Sequence, residues 1–226
     1  VDFSFLPKYY MFFLNGAKIT LLLAFFTIIL GVIFGLIFCL MRMSRVWPLK
    51  AMAASYIEFI RGTPFLVQLF LIYYGLPNLG VKLPDFSLMG VSFPDFSFAV
   101  IALSINSSAY VAEVFRAGIQ AIDKGQMEAA RSLGLSHVQA MRFIVLPQAF
   151  KNVLPALGNE FIIVVKDSSL VSVIGIGELM YSFDTVRGNT FQTFGPLAVV
   201  ALIYFVMTFT LSKLLGLAER RMRTYD

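Results

Sequence analysis

The feature that most constrains the chain is the run 19–41, which is unbroken, uncharged and apolar. As a helix rising about 1.5 Å per residue it exceeds a hydrocarbon core roughly 30 Å thick. A cleaved signal peptide has a shorter apolar region of about 7–15 residues, and this run passes instead into Arg42-Met43-Ser44-Arg45. It reads as a retained transmembrane helix. Composition agrees: of 226 residues, 58% are hydrophobic and 14% charged, with a mean hydropathy of +0.81. Soluble domains average roughly 45–50% and about 25%. At about 20 residues per crossing, the length holds roughly five spans and leaves little for an extramembrane domain. One Cys (Cys39) and one His (His137) exclude an internal disulfide, a Cys/His zinc cluster and a haem pair by count.

The chain therefore reads as an all-α integral membrane protein, a single transmembrane domain over 1–226. The second span, 51–76, carries Glu58 and Arg61 and then Gly62-Thr63-Pro64, where proline removes a backbone donor and breaks the helix. The third, fourth and fifth are expected at 98–122, 143–165 and 194–217. Five spans put the termini on opposite sides, and basic loop residues decide which. Arg42, Arg45, Lys50, Arg116, Lys124, Arg131, Arg142, Lys213, Arg220, Arg221 and Arg223 share one side; Lys8, Lys18, Lys82, Lys166 and Arg187 share the other. The amino terminus is expected outside and the carboxyl terminus in the cytoplasm.

A minimal connection between spans needs only a few residues, yet 123–142 carries a pattern of its own. Residues 124–133 predict a short helix capped by Asp123, with Met127, Ala130 and Leu133 on one face. Gly134 stands where a left-handed helix stop needs glycine. Ser136 with Gln139 forms a capping box that opens the next helix. The result is a helix–turn–helix elbow on the cytoplasmic side. Small Ala129 and Ala130 allow close approach of a partner backbone, Met127 and Leu133 offer apolar area, and Glu128 with Arg131 predicts an i, i+3 charge pair.

Glu128-Ala129-Ala130, then Gly134, Ile144, Leu146 and Pro147 at their spacing, resemble the E-A-A signature of binding-protein-dependent ABC importer permeases. The run from Tyr56 to Pro64 with Gln68, the run from Ser108 to Arg116, Asn159-Glu160-Phe161, and Lys166-Asp167-Ser168-Ser169-Leu170 are similar to the branch importing histidine, arginine, glutamine and related polar amino acids. The resemblance implies a five-span core in a bacterial inner (plasma) membrane. It also implies a second permease subunit, identical or a close paralogue, two cytoplasmic ATPase subunits that bind ATP and magnesium, and an external or periplasmic amino-acid-binding protein. On that resemblance Glu128, Ala129, Ala130 and Gly134 transmit nucleotide-driven closure, and Met127, Arg131 and Leu133 join them as the coupling set. The sequence has no G-x-x-x-x-G-K-[ST] run, so no ATP hydrolysis, cofactor or metal is expected in this chain itself. Nucleic acid is not an expected partner.

Ionisable groups inside spans cost about 2.5–3.5 kcal/mol each for a central Asp, Lys or Arg, so each marks a candidate site. On the third span Asn106, Tyr110 and Glu113 recur at i, i+4 and i+7 as one polar face. On the fourth, Asp167 shares the face of Glu160 if the helix persists, with Lys166 and Ser168 beside it. Pro147, Pro155 and Gly158 are expected to interrupt that span and expose backbone groups. These residues together predict an amino-acid path: carboxylates for an ammonium or cationic side chain, and Lys166 or a helix end for the α-carboxylate. The excess of carboxylates favours arginine, histidine or lysine, with glutamine or glutamate as the alternative. A passive channel would not need the elbow, and a membrane hydrolase would need a nucleophile and base that the spans do not pair. Glu58 with Arg61, and Glu113 with Arg116, are alternatively i, i+3 pairs that hold the bundle. Cys39 reads as packing, Trp47 as an interface anchor, Gly31 with Gly35 as a close helix contact, and 171–180 as a short outer helix.

Overall fold

The structure, a computed structural model, describes residues 2–88 and 90–223, and nearly all of its regular structure is helical. The first helix, α1 (Leu6–Met43), is 38 residues long, well beyond the run expected from hydropathy. Pro7 near its first turn costs little, because a helix's first N–H groups have no partner there. Its added amino-terminal turns bury Tyr9 and Phe13 against Leu179, Phe183, Val186 and Val200 near the other end of the chain.

The expected second span is two helices, α2 (Trp47–Gly62) and α3 (Phe65–Asn78), meeting at 109° across Thr63-Pro64. A tiny antiparallel hairpin, β1 (Ser87–Leu88) and β2 (Val91–Ser92), pairs Ser87 with Ser92 and Leu88 with Val91. It leads into α4 (Phe93–Gln120), whose first turn is capped by the Ser92 hydroxyl, which accepts from the Asp95 N–H. α4 is the buried centre of the molecule: α1, α2, α3 and α7 all pack on it.

After α4 come α5 (Lys124–Ser132) and α6 (His137–Ala140). A π-helical turn, Met141–Val145, then runs into α7 (Leu146–Asp167). Pro147, Pro155 and Gly158 do not interrupt α7, contrary to the expectation: Pro147 sits at its start and the helix runs through Pro155. Gly158 is explained by packing, since a Cβ there would lie 2.2 Å from Leu215 Cδ1. The expected outer helix at 171–180 is instead a 3₁₀ segment, Ser168–Ile174, stopped by Gly175 at φ +84°. Next comes α8 (Leu179–Thr190), and α9 (Phe194–Arg223) ends the described chain.

Among the described residues three helices, α1, α4 and α9, are long and apolar enough to cross a membrane, and α2 with α3 count as a fourth if the bent pair is one span. α7 has the length, at 22 residues, but its Gln, Lys, Asn and Glu residues leave it short of the same apolar character. Gly31 and Gly35 lie against α4 within the same chain. A Cβ on Gly35 would meet the Ser108 carbonyl oxygen at 3.0 Å, and one on Gly31 would meet Ser107 Oγ at the same distance. Cys39 packs with Ile57, Ile60, Ala109 and Ala112, and Trp47 is 76% exposed.

Candidate functional site

The break between α2 and α3 exists because Thr63 and Pro64 take extended backbone conformations, and proline cannot continue the ladder of α2. Gln68, one turn into α3, mends it. Its Nε2 donates to the Ile60 carbonyl (2.7 Å), Thr63 Oγ1 (2.8 Å) and the Thr63 carbonyl (3.1 Å). Its Oε1 accepts from Asn106 Nδ2 at 2.9 Å. The break is thereby stapled to the middle of α4.

Beside this staple lies a cavity of about 330 Å³, lined by Thr63, Pro64 and Phe65 from the break, Leu103, Asn106 and Tyr110 from α4, and Glu160, Ile163, Val164 and Asp167 from α7. The volume is at the low end of small-molecule sites, which run about 300–1,000 Å³. Glu160 is 6% exposed, and its Oε1 accepts from Ser107 Oγ at 2.8 Å. Because α7 persists, Glu160 and Asp167 do share a face, and both reach the cavity.

Of the residues expected on the path, the cavity gathers Asn106, Tyr110, Glu160 and Asp167. Glu113, Lys166 and Ser168 are not in its wall. Glu113 is clasped instead, with Arg42 Nη1 2.9 Å from Oε1 and Arg116 reaching Oε2 through both Nε (3.0 Å) and Nη2 (2.6 Å). Lys166 faces outward, and buried Ser168 donates to the Val165 carbonyl. No ion pair joins Glu58 to Arg61; the Arg61 guanidinium lies over the Tyr110 ring, 5.6 Å from its centroid. Among the described residues no group of three or more His, Cys, Asp or Glu is placed to hold a metal ion.

One buried carboxylate has no counterpart in the sequence reading. Glu178, fully buried, caps α8 by accepting from the Tyr181 N–H (2.7 Å) and also accepts from Tyr204 of α9 (2.9 Å) and Thr20 of α1 (3.4 Å). Its position just ahead of a helix was the available signal. The glycines beside it hid the helix start.

The elbow forms largely as its pattern predicts. Asp123 Oδ1 caps α5 by accepting from the Gly125 N–H, Gly134 stops it at φ +88°, and the Ser136–Gln139 capping box is complete. Ala130 is buried and Met127 half-buried, the latter lining one pocket with Ile119, Met141 and Val145, whereas Leu133 is 85% exposed. The expected single apolar face is therefore split between an inner and an outer side. Arg131 does not pair with Glu128; its Nη1 donates to the Leu135 carbonyl at 2.7 Å, tying the turn together. Glu128 and Ala129 face outward.

A broken helix stapled beside a cavity with two carboxylates in its wall, and a structured elbow at one end of an apolar bundle, define a helical membrane-protein architecture. The chain belongs to the family described as binding-protein-dependent transport system inner membrane component, which it matches over residues 11–224. It is 39% identical to the arginine transport system permease protein ArtQ of Bacillus subtilis (strain 168), over 100% of this chain and 99% of that one. It is also 39% identical to the probable glutamine ABC transporter permease protein GlnM of the same organism, over 98% of each. The crystal structure of an amino acid ABC transporter with histidines matches with a TM-score of 0.89 at 53% identity, covering 98% of this chain and 99% of that one. An inward-facing MetNI methionine ABC transporter shares the fold, with a TM-score of 0.63 at 18% identity over 98% and 97%. The protein is an amino-acid ABC importer permease, and not itself an enzyme; the ATPase of such importers is a separate subunit.

Proposed function

We propose that the chain forms, with a second permease subunit, the path for an amino acid bearing a cationic side chain, and that a separate ATPase drives it through the elbow. In this reading it has five spans, with α2 and α3 together as the second and α7 as the fourth. The amino terminus lies outside and the carboxyl terminus in the cytoplasm of a bacterial inner membrane, as the distribution of Lys and Arg supports. An external binding protein delivers the amino acid. α7 is less apolar than the other spans because it lines the path rather than facing lipid.

The single observation carrying the reading is the cavity wall: Glu160 and Asp167 meet Asn106 beside the helix break. Two carboxylates there attract an ammonium or guanidinium group. The start of α3, where Phe65 lines the cavity, supplies backbone donors for the α-carboxylate. That assignment replaces Lys166, which points away. Glu128, Ala129 and Leu133 supply the outward surface that seats the ATPase, while Met127, Ala130, Arg131 and Gly134 hold its shape.

The test is Glu160→Gln, with labelled L-arginine bound to the purified permease–ATPase complex. A hydrogen bond to a charged group contributes about 1.5–3 kcal/mol, so the dissociation constant should rise tenfold or more. An unchanged constant would remove Glu160 from the path. L-Glutamine, tested alongside, should lose less, because only its α-ammonium is cationic.

A further inference from the structure

The hydrogen bonds around Gln68 have a direction, and the direction reaches the cavity. Gln68 is 4% exposed, and two of the three atoms its Nε2 meets are carbonyl oxygens, of Ile60 and Thr63. Carbonyl oxygens only accept. The third, Thr63 Oγ1, already donates its proton to the Phe59 carbonyl at 2.9 Å and so accepts from Gln68. A flipped Gln68 amide would set Oε1 against both carbonyls, so the amide has one orientation.

Oε1 then faces α4 as an acceptor, and Asn106 must meet it with Nδ2. A flipped Asn106 would set oxygen against oxygen. Asn106 Oδ1 is consequently turned away from the staple, in a residue that lines the cavity. Nearby, Glu160 has one oxygen committed to Ser107 and Asp167 shares the wall. Thr63's hydroxyl is spent on Phe59 and Pro64 has no N–H, while the Tyr110 hydroxyl can still donate or accept.

We propose that Gln68 is a positioning residue that sets substrate polarity: by holding Asn106 with its carbonyl oxygen free, it adds a neutral acceptor to the two carboxylates, Glu160 and Asp167, on the α4–α7 wall of the cavity. The wall thereby takes the donor-bearing, cationic end of an amino acid and turns an acidic side chain away. This rests on the cavity reading above. The staple that mends the helix break and the group that selects the ligand are one side chain.

A double-mutant cycle tests it on the purified permease–ATPase complex, with labelled L-arginine as the probe. Asn106→Ala and Gln68→Ala should each raise the dissociation constant about tenfold. In the Asn106→Ala background, adding Gln68→Ala should change it less than threefold, because the relay has nothing left to orient. A full tenfold loss in that background would show that Gln68 acts only by bracing the break, and would overturn the proposal. Gln68→Met keeps the side chain's length and carries the same comparison if the alanine variant does not assemble. The unmodified complex gives an independent readout: agmatine should displace labelled L-arginine and L-glutamate should not, and displacement by L-glutamate overturns the relay. If Asn106→Ala and Glu160→Gln both leave binding unchanged, the cavity reading itself fails, an outcome distinct from failure of the relay alone.

Discussion

Gly35 shows how little room single residues leave in this bundle. A Cβ there would stand 2.7 Å from Val111 Cβ and 3.0 Å from the Ser108 carbonyl oxygen, so backbone as well as side chain must move. Overpacking of this kind costs about 1–3 kcal/mol. Gly35→Leu should therefore lower the melting temperature in detergent, while Gly75→Ala, with nothing within 4 Å of its Cβ, should leave it level or raised. Equal melting of the two variants would mean that α1 and α4 are not in contact there. The G-x-x-x-G spacing was visible in the sequence, but not its partner. Nothing local distinguishes a glycine that packs on its own chain from one that packs on another subunit. The same limit applies to carboxylates: Glu113 and Glu160 each fall on a polar helix face, yet one meets two arginines and the other a cavity.

At the scale of elements, the elbow was the most legible part. Caps and stops act over three or four residues, and those residues are contiguous. Gly134 is its hinge, at φ +88° with open space around its Cβ position. A β-branched residue there meets no clash outside the turn and bears only the left-handed backbone cost, about 1–2 kcal/mol. Gly134→Val should therefore weaken the rise in ATP hydrolysis caused by substrate-loaded binding protein, while basal hydrolysis and membrane insertion persist. Full stimulation in the variant would detach the elbow from coupling. Less legible were the helices whose starts depend on distant residues. α8 opens on Glu178, which is held by Thr20 and Tyr204 from the two ends of the chain, and α1 extends because Phe13 and Tyr9 find partners on α8 and α9.

For the whole molecule, α4 is the axis on which the other elements are hung. Tyr56 of α2 donates to the Ile105 carbonyl and meets Ser108 Oγ, Gln68 of α3 holds Asn106, and Glu160 of α7 meets Ser107. The Arg42–Glu113–Arg116 clasp fastens α1 to α4, with Glu113 17% exposed and the arginines 24% and 31%. Exposed pairs contribute about 0–1 kcal/mol and breaking a buried one costs about 3–5, so Glu113→Gln, between those limits, should cost about 2 kcal/mol. It should lower the melting temperature and leave L-arginine binding unchanged; weakened binding at normal stability would return Glu113 to the path.

The amino-acid sequence by itself determined the long apolar helices, the break at Thr63-Pro64, the elbow with its caps, and the family signature. These follow from hydropathy, backbone chemistry and short-range spacing, which a linear pattern records in full. Only the tertiary structure decided which polar side chains share a cavity, which are neutralised by arginines, and which way the Asn106 amide points. Helical periodicity says which residues share a face, but the neighbour that face meets is set by packing between segments far apart in the chain.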